Sequence, residues 1–390
     1  MKKLLLIQLL FTLNCIAQSP AIKVGAERTE LYLPLLQDKS VAIIANQTSM
    51  IKNTHLADSL LALGVDVKKI FSPEHGFRGE ADAGEYVNDY IDKKTGLQVI
   101  SLYGKGKKPA SGDLSGIDVV IFDIQDVGVR FYTYLSTMHY AMEACAESKV
   151  QFLVLDRPNP NGFYVAGPVL QKKYRSFVGL HPVPIVYGMT LAEYARMING
   201  QGWLKNSVKC ELLHILCEGY SHNDYYELPV KPSPNLPDMT SVYLYPSLAL
   251  FEGTIVSVGR GTDKPFRIIG HPALQNAKFT FTPRSVQGAK HPPYEGVKCN
   301  GYDLSVFGKI IIRSYERIYL YWLTGIYKDT PDKKNFFLKN GFFNLLAGNA
   351  TLKQQIIEGV SEEDIQKSWE GDIKKFKQLR KGYLLYPDFE

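Results

Sequence analysis

One apolar run constrains the fold of this chain more than any other feature. Residues 118–124 (DVVIFDI) carry consecutive apolar side chains where a half-buried strand would alternate apolar and polar ones. A strand that is apolar on both faces lies inside a parallel sheet covered by helices on both sides. Similar runs recur at residues 40–45, 65–71, 97–103 and 150–155. Because helical patterns at 55–63 and 132–146 separate them, the sequence predicts an α/β fold with a parallel sheet.

A proline-rich segment marks the best candidate for a domain boundary. Residues 231–238 (KPSPNLPD) hold three prolines in eight positions, which excludes a helix or a central strand. The length of 390 residues suits two domains, which we place at 18–238 and 239–390. Other elements are expected as a capped helix at 190–200, strands at 253–258 and 278–282, helices from residue 303 onward and a last amphipathic helix at 365–379.

The first 17 residues have the pattern of a secretory signal peptide. Two lysines at positions 2 and 3 precede an apolar run at residues 4–13, and Ala17 stands before a plausible cleavage site. We therefore expect an exported, periplasmic protein that begins at Gln18. The alternatives are full secretion and a lipid anchor on Cys15. The apolar run is too short to cross a membrane, and no later segment of the sequence spans one.

Composition narrows the classes of partner. The chain is 45% apolar and 22% charged, with a formal net charge of +6, which is typical of a globular protein. The basic excess is small and forms no cluster along a helix face, so nucleic acid is not an expected partner. Cys210 and Cys217 could form a disulfide bond or remain buried thiols, and no Cys/His spacing fits a zinc site.

Polar residues follow each predicted strand. Because ligands bind at the carboxyl ends of parallel strands, these tips are expected to converge on one crevice. The loop at 73–79 follows the second strand, and its Glu74 is a candidate general acid with His75 as an orienting partner. In the structural alternative, Glu74 only caps a turn or pairs with Arg78.

Two further strand tips pair an acid with an arginine. Asp126 and Arg130 follow the fourth strand, after Gln125. Asp156 and Arg157 follow the fifth strand. Each pair belongs either to the site or to a structural helix cap and ion pair.

The glycine-rich segments match no common nucleotide-binding motif. Glu252 and Arg260 lie in one such segment, which either exposes Arg260 for binding or forms a plain β-turn. The sequence has no GxGxxG after a strand and no GxxxxGK[ST], so NAD and ATP are not expected cofactors. It also lacks GxSxG and HExxH.

Five ordered motifs resemble the NamZ-type exo-β-N-acetylmuramidases. The resemblance runs from about residue 24 to residue 386, and its motifs stand at 72–79, 122–134, 155–160, 232–237 and 251–254 with 259–262. It implies a Rossmann-like parallel-sheet domain followed by a smaller α/β (α+β) C-terminal domain that completes a cleft. It also implies that the chain releases non-reducing terminal N-acetylmuramic acid (MurNAc) from peptidoglycan fragments, with Glu74 as the matching glutamate.

The chemistry of this reaction fits the candidate residues. Glycoside hydrolysis needs an acid and a second group, which is Asp126, Asp156, Glu252 or the substrate's own acetamido group. MurNAc carries a lactyl carboxylate, which an arginine can bind through two parallel hydrogen bonds. Arg130 and Arg157 are the first candidates for this role, and Arg78 and Arg260 are the alternatives. The predicted catalytic residues are Glu74, His75 and Asp126. The predicted substrate-binding residues are Arg78, Gln125, Arg130, Asp156, Arg157, Asn235, Glu252 and Arg260.

The expected partners are peptidoglycan-derived disaccharides or muropeptides. The expected reaction needs no metal ion and no organic cofactor. A non-catalytic binding protein for cell-wall saccharides is the alternative from another functional class, since it would keep the arginines and the aromatic residues. A nucleotide-dependent transferase is disfavoured by the missing phosphate loop.

Overall fold

A seven-stranded sheet forms the centre of the first half of the chain. The computed structural model describes residues 21–79, 88–104, 106–275, 277–310 and 316–390. Its sheet has the strand order β5-β6-β4-β1-β7-β8-β9, in which β5 is antiparallel to β6 and all other neighbours are parallel. The strands are β1 (Ser40–Ala45), β4 (Asp66–Ser72), β5 (Tyr90–Ile91), β6 (Gln98–Ser101), β7 (Val119–Asp123), β8 (Gln151–Leu155) and β9 (Leu212–Ile215), and a separate hairpin contains β2 (Met50–Ile51) and β3 (Thr54–His55).

Both faces of this sheet are buried. In β7, Val120 and Phe122 belong to one hydrophobic core, whereas Val119 and Ile121 belong to the core on the opposite face. This alternation follows from the two-residue period of a strand. The predicted α/β fold with a mostly parallel sheet is therefore confirmed.

The strand order places a topological switch point beside β1. The strands β4 and β6 lie on one side of β1, and β7, β8 and β9 lie on the other. The six parallel strands therefore follow the Rossmann order, in which ligands bind beyond the carboxyl ends where the order reverses. The helices of this half are α1 (Thr29–Leu36), α2 (Leu56–Ala62), α3 (Tyr134–Ser148) and α4 (Leu191–Gly200).

Helix α4 begins at the predicted capping box. The Thr190 side chain accepts a hydrogen bond from the Glu193 amide, and a Glu193 carboxylate oxygen accepts one from the Thr190 amide at 2.8 Å. These two bonds satisfy amide groups that have no partner within the helix.

The second half forms a smaller region with its own antiparallel sheet. Its strand order is β10-β12-β11, and α5 begins directly after the proline-rich segment, with Asp238 as its N-terminal cap. The division at residues 238 and 239 stays a prediction. The elements are α5 (Met239–Leu248), β10 (Ile268–His271), β11 (Phe279–Phe281), β12 (Cys299–Asp303), α6 (Ser305–Ile310), α7 (Tyr321–Asp329), α8 (Phe342–Ala347), α9 (Thr351–Glu358), α10 (Glu362–Lys367) and α11 (Glu370–Lys381).

The C-terminal tail is anchored on the first half of the chain. Tyr386 donates a hydrogen bond to Asp156 at 2.6 Å, and the Leu385 amide donates one to Glu193 at 2.7 Å. The Arg380 guanidinium donates to the Gly188 carbonyl at 2.7 Å. These contacts join residues far apart in sequence, so the sheet and the C-terminal region pack as neighbours.

Some sequence-based expectations differ from the structure. The prediction of a strand at 253–258 is wrong, because Ala249–Gly253 is a 3-10 helix and the residues after it form only isolated β-bridges. The long helix expected at 365–379 is divided between α10 and α11. Cys145, Cys210, Cys217 and Cys299 are buried free thiols. The predicted signal peptide lies outside the described residues, and within them no helix is long and apolar enough to cross a membrane.

Candidate active site

A cleft lies between the tips of the sheet strands and the C-terminal region. It has a volume of about 380 Å³ and contains side chains from the loops after β4, β6 and β7. Its opposite wall comes from the proline-rich segment, from α5 and from the residues that follow α5. Among the predicted site residues, the cleft brings together Glu74, His75, Asn235, Glu252 and Arg260.

The turn after β4 places Glu74 in this cleft. The Gly76 amide donates to the Pro73 carbonyl at 3.1 Å, which closes the turn around Glu74. The half-buried Glu74 carboxylate accepts a hydrogen bond from Thr133 Oγ1 at 2.8 Å, and the Tyr103 hydroxyl also bonds to it. Two donors from two other strand tips therefore fix the orientation of this carboxylate.

His75 connects the same turn to the proline-rich segment. Its φ of +73° lies in the left-handed region, which side chains other than glycine rarely adopt. Its buried ring lies 3.3 Å from Ser233 Oγ through Nε2. On the far side of that segment, Asn235 donates to the Gly288 carbonyl at 2.8 Å. His75 and Asn235 thus hold the wall of the cleft in place.

Tyrosine hydroxyls surround the Glu74 carboxylate. Burial raises the pKa of Tyr103, and the charge of Glu74 raises it further. The same two causes raise the pKa of Tyr134, whose hydroxyl accepts a hydrogen bond from Asn46 at 2.9 Å. These hydroxyls therefore keep their protons at neutral pH and can donate hydrogen bonds to a substrate or to Glu74.

A second carboxylate faces the cleft as part of an ion pair. Glu252 Oε1 accepts from Arg260 Nε and lies 2.8 Å from both Nε and Nη2. The guanidinium also lies 5.1 Å from the centre of the Phe266 ring. Burial lowers the pKa of Arg260, but the charges of Glu252 and Tyr245 and the hydrogen bond to Glu252 together outweigh burial, so that the pKa is raised.

The other two candidates for the second catalytic group do not line the cleft. The buried Asp126 carboxylate accepts hydrogen bonds from the Gly128 amide at 2.6 Å and from Tyr187. Asp156 is fully buried and accepts from Tyr386 and from the Ala192 amide. Burial raises the pKa of each carboxyl to about 6. Each carboxylate is therefore enclosed by hydrogen-bond donors away from the cleft.

Both arginines expected to bind the lactyl carboxylate are buried elsewhere. Arg130 donates to the carbonyls of Pro168, Val183 and Leu346, and burial lowers its pKa to about 9. Arg157 forms a two-point ion pair with Asp123, at 2.6 and 2.9 Å. The expectation that all strand-tip residues converge on one crevice thus holds only in part.

Two more predicted binding residues are engaged outside the cleft. Arg78 pairs with Asp92 at 2.8 Å and packs over the Phe77 ring. Gln125 donates to the Pro158 carbonyl at 2.8 Å and is buried. Among the residues that the structure describes, no group of three or more His, Cys, Asp or Glu side chains could hold a metal ion.

Thr133 and Tyr245 also line the cleft and were not singled out from the sequence. Thr133 immediately precedes α3, at the end of the loop that follows β7. Its position beyond the carboxyl end of a central strand could have indicated a place in the cleft. Tyr245 lies within the buried helix α5 and contacts the rings of Phe131 and Phe266. No sequence pattern distinguishes such a tyrosine from one in the core.

Comparison with known proteins identifies the family. The description "Exo-beta-N-acetylmuramidase NamZ, N-terminal" matches residues 41–240, and "Exo-beta-N-acetylmuramidase NamZ, C-terminal" matches residues 243–386. The chain belongs to the NamZ family of exo-β-N-acetylmuramidases. The resemblance drawn from the five sequence motifs is therefore confirmed.

One curated relative and two solved structures are similar over nearly the whole chain. The peptidoglycan β-N-acetylmuramidase NamZ of Bacillus subtilis (strain 168) is 39% identical, covering 96% of this chain and 93% of that protein. The crystal structure of a DUF1343 family protein from Bacteroides fragilis NCTC 9343 is 46% identical, with a TM-score of 0.88. A second DUF1343 structure from that organism is 30% identical, with a TM-score of 0.78. Each match covers 94% of this chain and 99% of the solved one.

Proposed function

We propose that this chain is an exo-acting glycoside hydrolase that releases MurNAc from the non-reducing ends of peptidoglycan fragments. The observation that carries the proposal is a cleft that contains two carboxylates, Glu74 and Glu252, among tyrosine side chains. Glycoside hydrolysis uses an acid for the leaving oxygen and a second group for the anomeric carbon. Membership of the NamZ family and the name of the B. subtilis relative support MurNAc as the sugar released.

Glu74 is proposed as the general acid. A protonated Glu74 would donate its proton to the glycosidic oxygen as the bond to the anomeric carbon breaks. Thr133 and Tyr103 hold the carboxyl group in one orientation, which keeps it directed at the cleft. His75 helps to position the Glu74 carboxyl group, because its left-handed backbone is part of the same turn and its ring contacts Ser233.

Glu252 is proposed for the second role, with the substrate's acetamido group as the alternative. Of Asp126, Asp156 and Glu252, only Glu252 lines the cleft. Its carboxylate forms an ion pair with Arg260 at 2.8 Å. An ionised carboxylate can attack the anomeric carbon, activate a water molecule or stabilise the positive charge of the transition state.

Arg260 is proposed to bind the lactyl carboxylate of MurNAc. A guanidinium matches a carboxylate through parallel N–H donors, and burying a carboxylate without a partner costs several kcal/mol. Arg260 lines the cleft, whereas Arg130 and Arg157 are held by carbonyls and by Asp123. Lys107 adds a second positive charge at the cleft, where its ammonium group lies 4.3 Å from the centre of the Phe177 ring.

The protein is further proposed to act outside the cytoplasmic membrane, in the periplasm. The leader pattern at residues 1–17 supports export with cleavage after Ala17. Sequencing of the N-terminus of protein taken from cells tests this proposal. An N-terminus at Gln18 supports it, and an acylated Cys15 would replace it with a lipid anchor.

Product analysis separates hydrolysis from binding alone. Purified protein is incubated with the disaccharide MurNAc-GlcNAc, and free MurNAc is measured over time. Catalytic release of many MurNAc molecules per protein molecule supports the proposal. If the disaccharide binds to the protein and stays intact, the chain is a non-catalytic binding protein for cell-wall saccharides.

A further inference from the structure

A second cavity lies beside the active-site cleft and contains none of the proposed catalytic residues. Its volume is about 610 Å³, and residues from α3, from the segment before α4 and from the loop after α4 line it. The lining side chains that determine its binding chemistry include His139, Tyr140, Arg175, His181, Trp203 and Lys205.

One short turn forms the wall between the cleft and this cavity. Backbone hydrogen bonds of 2.9 and 3.0 Å join Ser176 and Gly179 in both directions. Phe177 and Val178, at the tip of the turn, line the cleft, whereas Arg175 lines the cavity on the other side. The two spaces are therefore neighbours.

Aromatic rings lead from the catalytic carboxylate to the second cavity. Tyr103, which bonds to Glu74, lies 6.2 Å from the Phe177 ring centre. Phe177 in turn stacks on Tyr140, a residue of the second cavity, with centres 6.3 Å apart. Two ring-to-ring steps of this size are on the scale of a disaccharide, so a saccharide bound at Glu74 can reach the cavity.

The cavity has an excess of positive charge. Lys172, Arg175 and Lys205 line it, and none of their charged groups has an acidic partner in the part of the chain that the structure describes. The one acidic side chain among the lining residues, Glu143, is paired with Lys108 at 2.8 Å. The charges of the cavity therefore suit an anion.

A buried histidine pair forms the apolar floor beside these charges. His181 contacts His139 at 3.0 Å and stacks on the half-buried Trp203 with ring centres 4.6 Å apart. Burial lowers the pKa of His139 to about 4, and the nearby Arg175 contributes to this shift. Both rings are neutral at neutral pH and pack beneath Trp203. The half-buried Trp203 ring offers flat aromatic surface in the cavity that Arg175 also lines.

We propose that this cavity is a binding site for the leaving saccharide chain and that Arg175 binds a carboxylate on it. This inference rests on the proposed function. MurNAc and GlcNAc alternate in peptidoglycan, so the next carboxylate of a peptide-free chain lies on the second sugar of the leaving group. Arg175 binds that lactyl carboxylate while Trp203 contacts the sugar.

The test compares a disaccharide with a tetrasaccharide. Values of kcat/KM are measured on MurNAc-GlcNAc and on (MurNAc-GlcNAc)₂ for the wild type, Arg175→Ala, Arg175→Lys and Lys173→Ala. Lys173 is the matched control, because it is exposed on the same segment, carries the same charge, and lies over Tyr174 instead of lining the cavity.

The wild type is expected to prefer the tetrasaccharide by about fivefold, the effect of one well-placed ion pair. Arg175→Ala should remove this preference and leave the disaccharide rate unchanged, Arg175→Lys should keep part of it, and Lys173→Ala should keep all of it. Equal rates of the wild type on both substrates, or equal losses in Arg175→Ala and Lys173→Ala, would overturn the inference and leave the proposed function intact. A wild type that hydrolyses neither substrate would overturn both.

Discussion

Thr133 Oγ1 donates a hydrogen bond of 2.8 Å to Glu74 Oε2, and this bond joins the residue before α3 to the turn after β4. A threonine at this position of a helix commonly accepts a hydrogen bond from a helix amide. Thr133 makes no such bond. Its hydroxyl is instead used to hold the proposed catalytic acid.

Thr133→Val should therefore slow the reaction without weakening substrate binding. The change keeps the shape of the side chain and removes the donor, so kcat is expected to fall about tenfold, the effect of one hydrogen bond, at unchanged KM. Thr133→Ser should restore the rate. Thr137→Val, one turn further along α3, is the control, and an equal loss in that variant would show that the Thr133 hydroxyl has no special role.

Asp126→Asn should stabilise the protein at neutral pH and keep its activity. Burial raises the pKa of Asp126 to about 6, whereas an unfolded aspartate titrates at about 4. The folded state therefore binds this proton more tightly, so the stabilising contribution of Asp126 is complete below about pH 4 and is lost as the pH rises through 6. Asparagine has the same shape and cannot ionise.

The measurement is the free energy of unfolding of both proteins at pH 4 and pH 7.5. Between pH 4 and pH 7.5, the free energy of unfolding of Asp126→Asn relative to the wild type should increase by roughly 2–3 kcal/mol. Asp156 titrates in both proteins and cancels in the comparison. A stable Asp126→Asn variant that had lost hydrolysis of the disaccharide would return Asp126 to the list of catalytic candidates.

Arg260→Lys and Arg130→Lys should change two different properties, the first the sugar preference and the second the stability. Lysine retains the charge but offers no planar pair of donors, so Arg260→Lys should lower the preference for MurNAc over GlcNAc glycosides. Arg130→Lys should leave that preference unchanged and cost about 2–4 kcal/mol of stability, because buried carbonyls lose their donors. The readouts are the ratio of kcat/KM on the two sugars and the midpoint of urea unfolding. A wild-type ratio in Arg260→Lys would rule out Arg260 as the group that binds the lactyl carboxylate.

The central strands were predictable because burial on both faces leaves a strong signal. The predicted β1 has the observed bounds, Ser40–Ala45, and β7 and β8 differ by one residue at the ends. The strand β9 (Leu212–Ile215) leaves a weaker signal in the sequence, because three of its four residues are only half-buried at the edge of the sheet. The segment at 253–258 has the composition of a strand. A Cβ atom at Gly253 would lie 2.4 Å from the Phe343 backbone, so close packing, and not composition, determines the conformation of this segment.

The location of a residue in the cleft was predictable only where its position along the chain decides that location. Glu74 follows a central strand, and the Rossmann order directs such a residue toward the ligand cleft. Arg157 also follows a central strand, yet it pairs with Asp123 inside the sheet. A buried structural ion pair and a substrate-binding arginine have the same sequence pattern, and only the three-dimensional contacts separate them.

The role of Glu74 is tested most directly by Glu74→Gln, assayed on two substrates that differ in the leaving group. Glutamine keeps the shape and can still bond to Thr133, so folding and substrate binding should persist. Hydrolysis of MurNAc-GlcNAc, whose leaving group needs a proton, should fall by roughly 10² to 10⁴ in kcat. The leaving group of a dinitrophenyl MurNAc glycoside needs little protonation. The rate of hydrolysis of this substrate should therefore be largely unchanged if cleavage of the glycosidic bond limits the rate. If a stable Glu74→Gln protein hydrolyses the disaccharide at close to the wild-type rate, Glu74 is not the general acid.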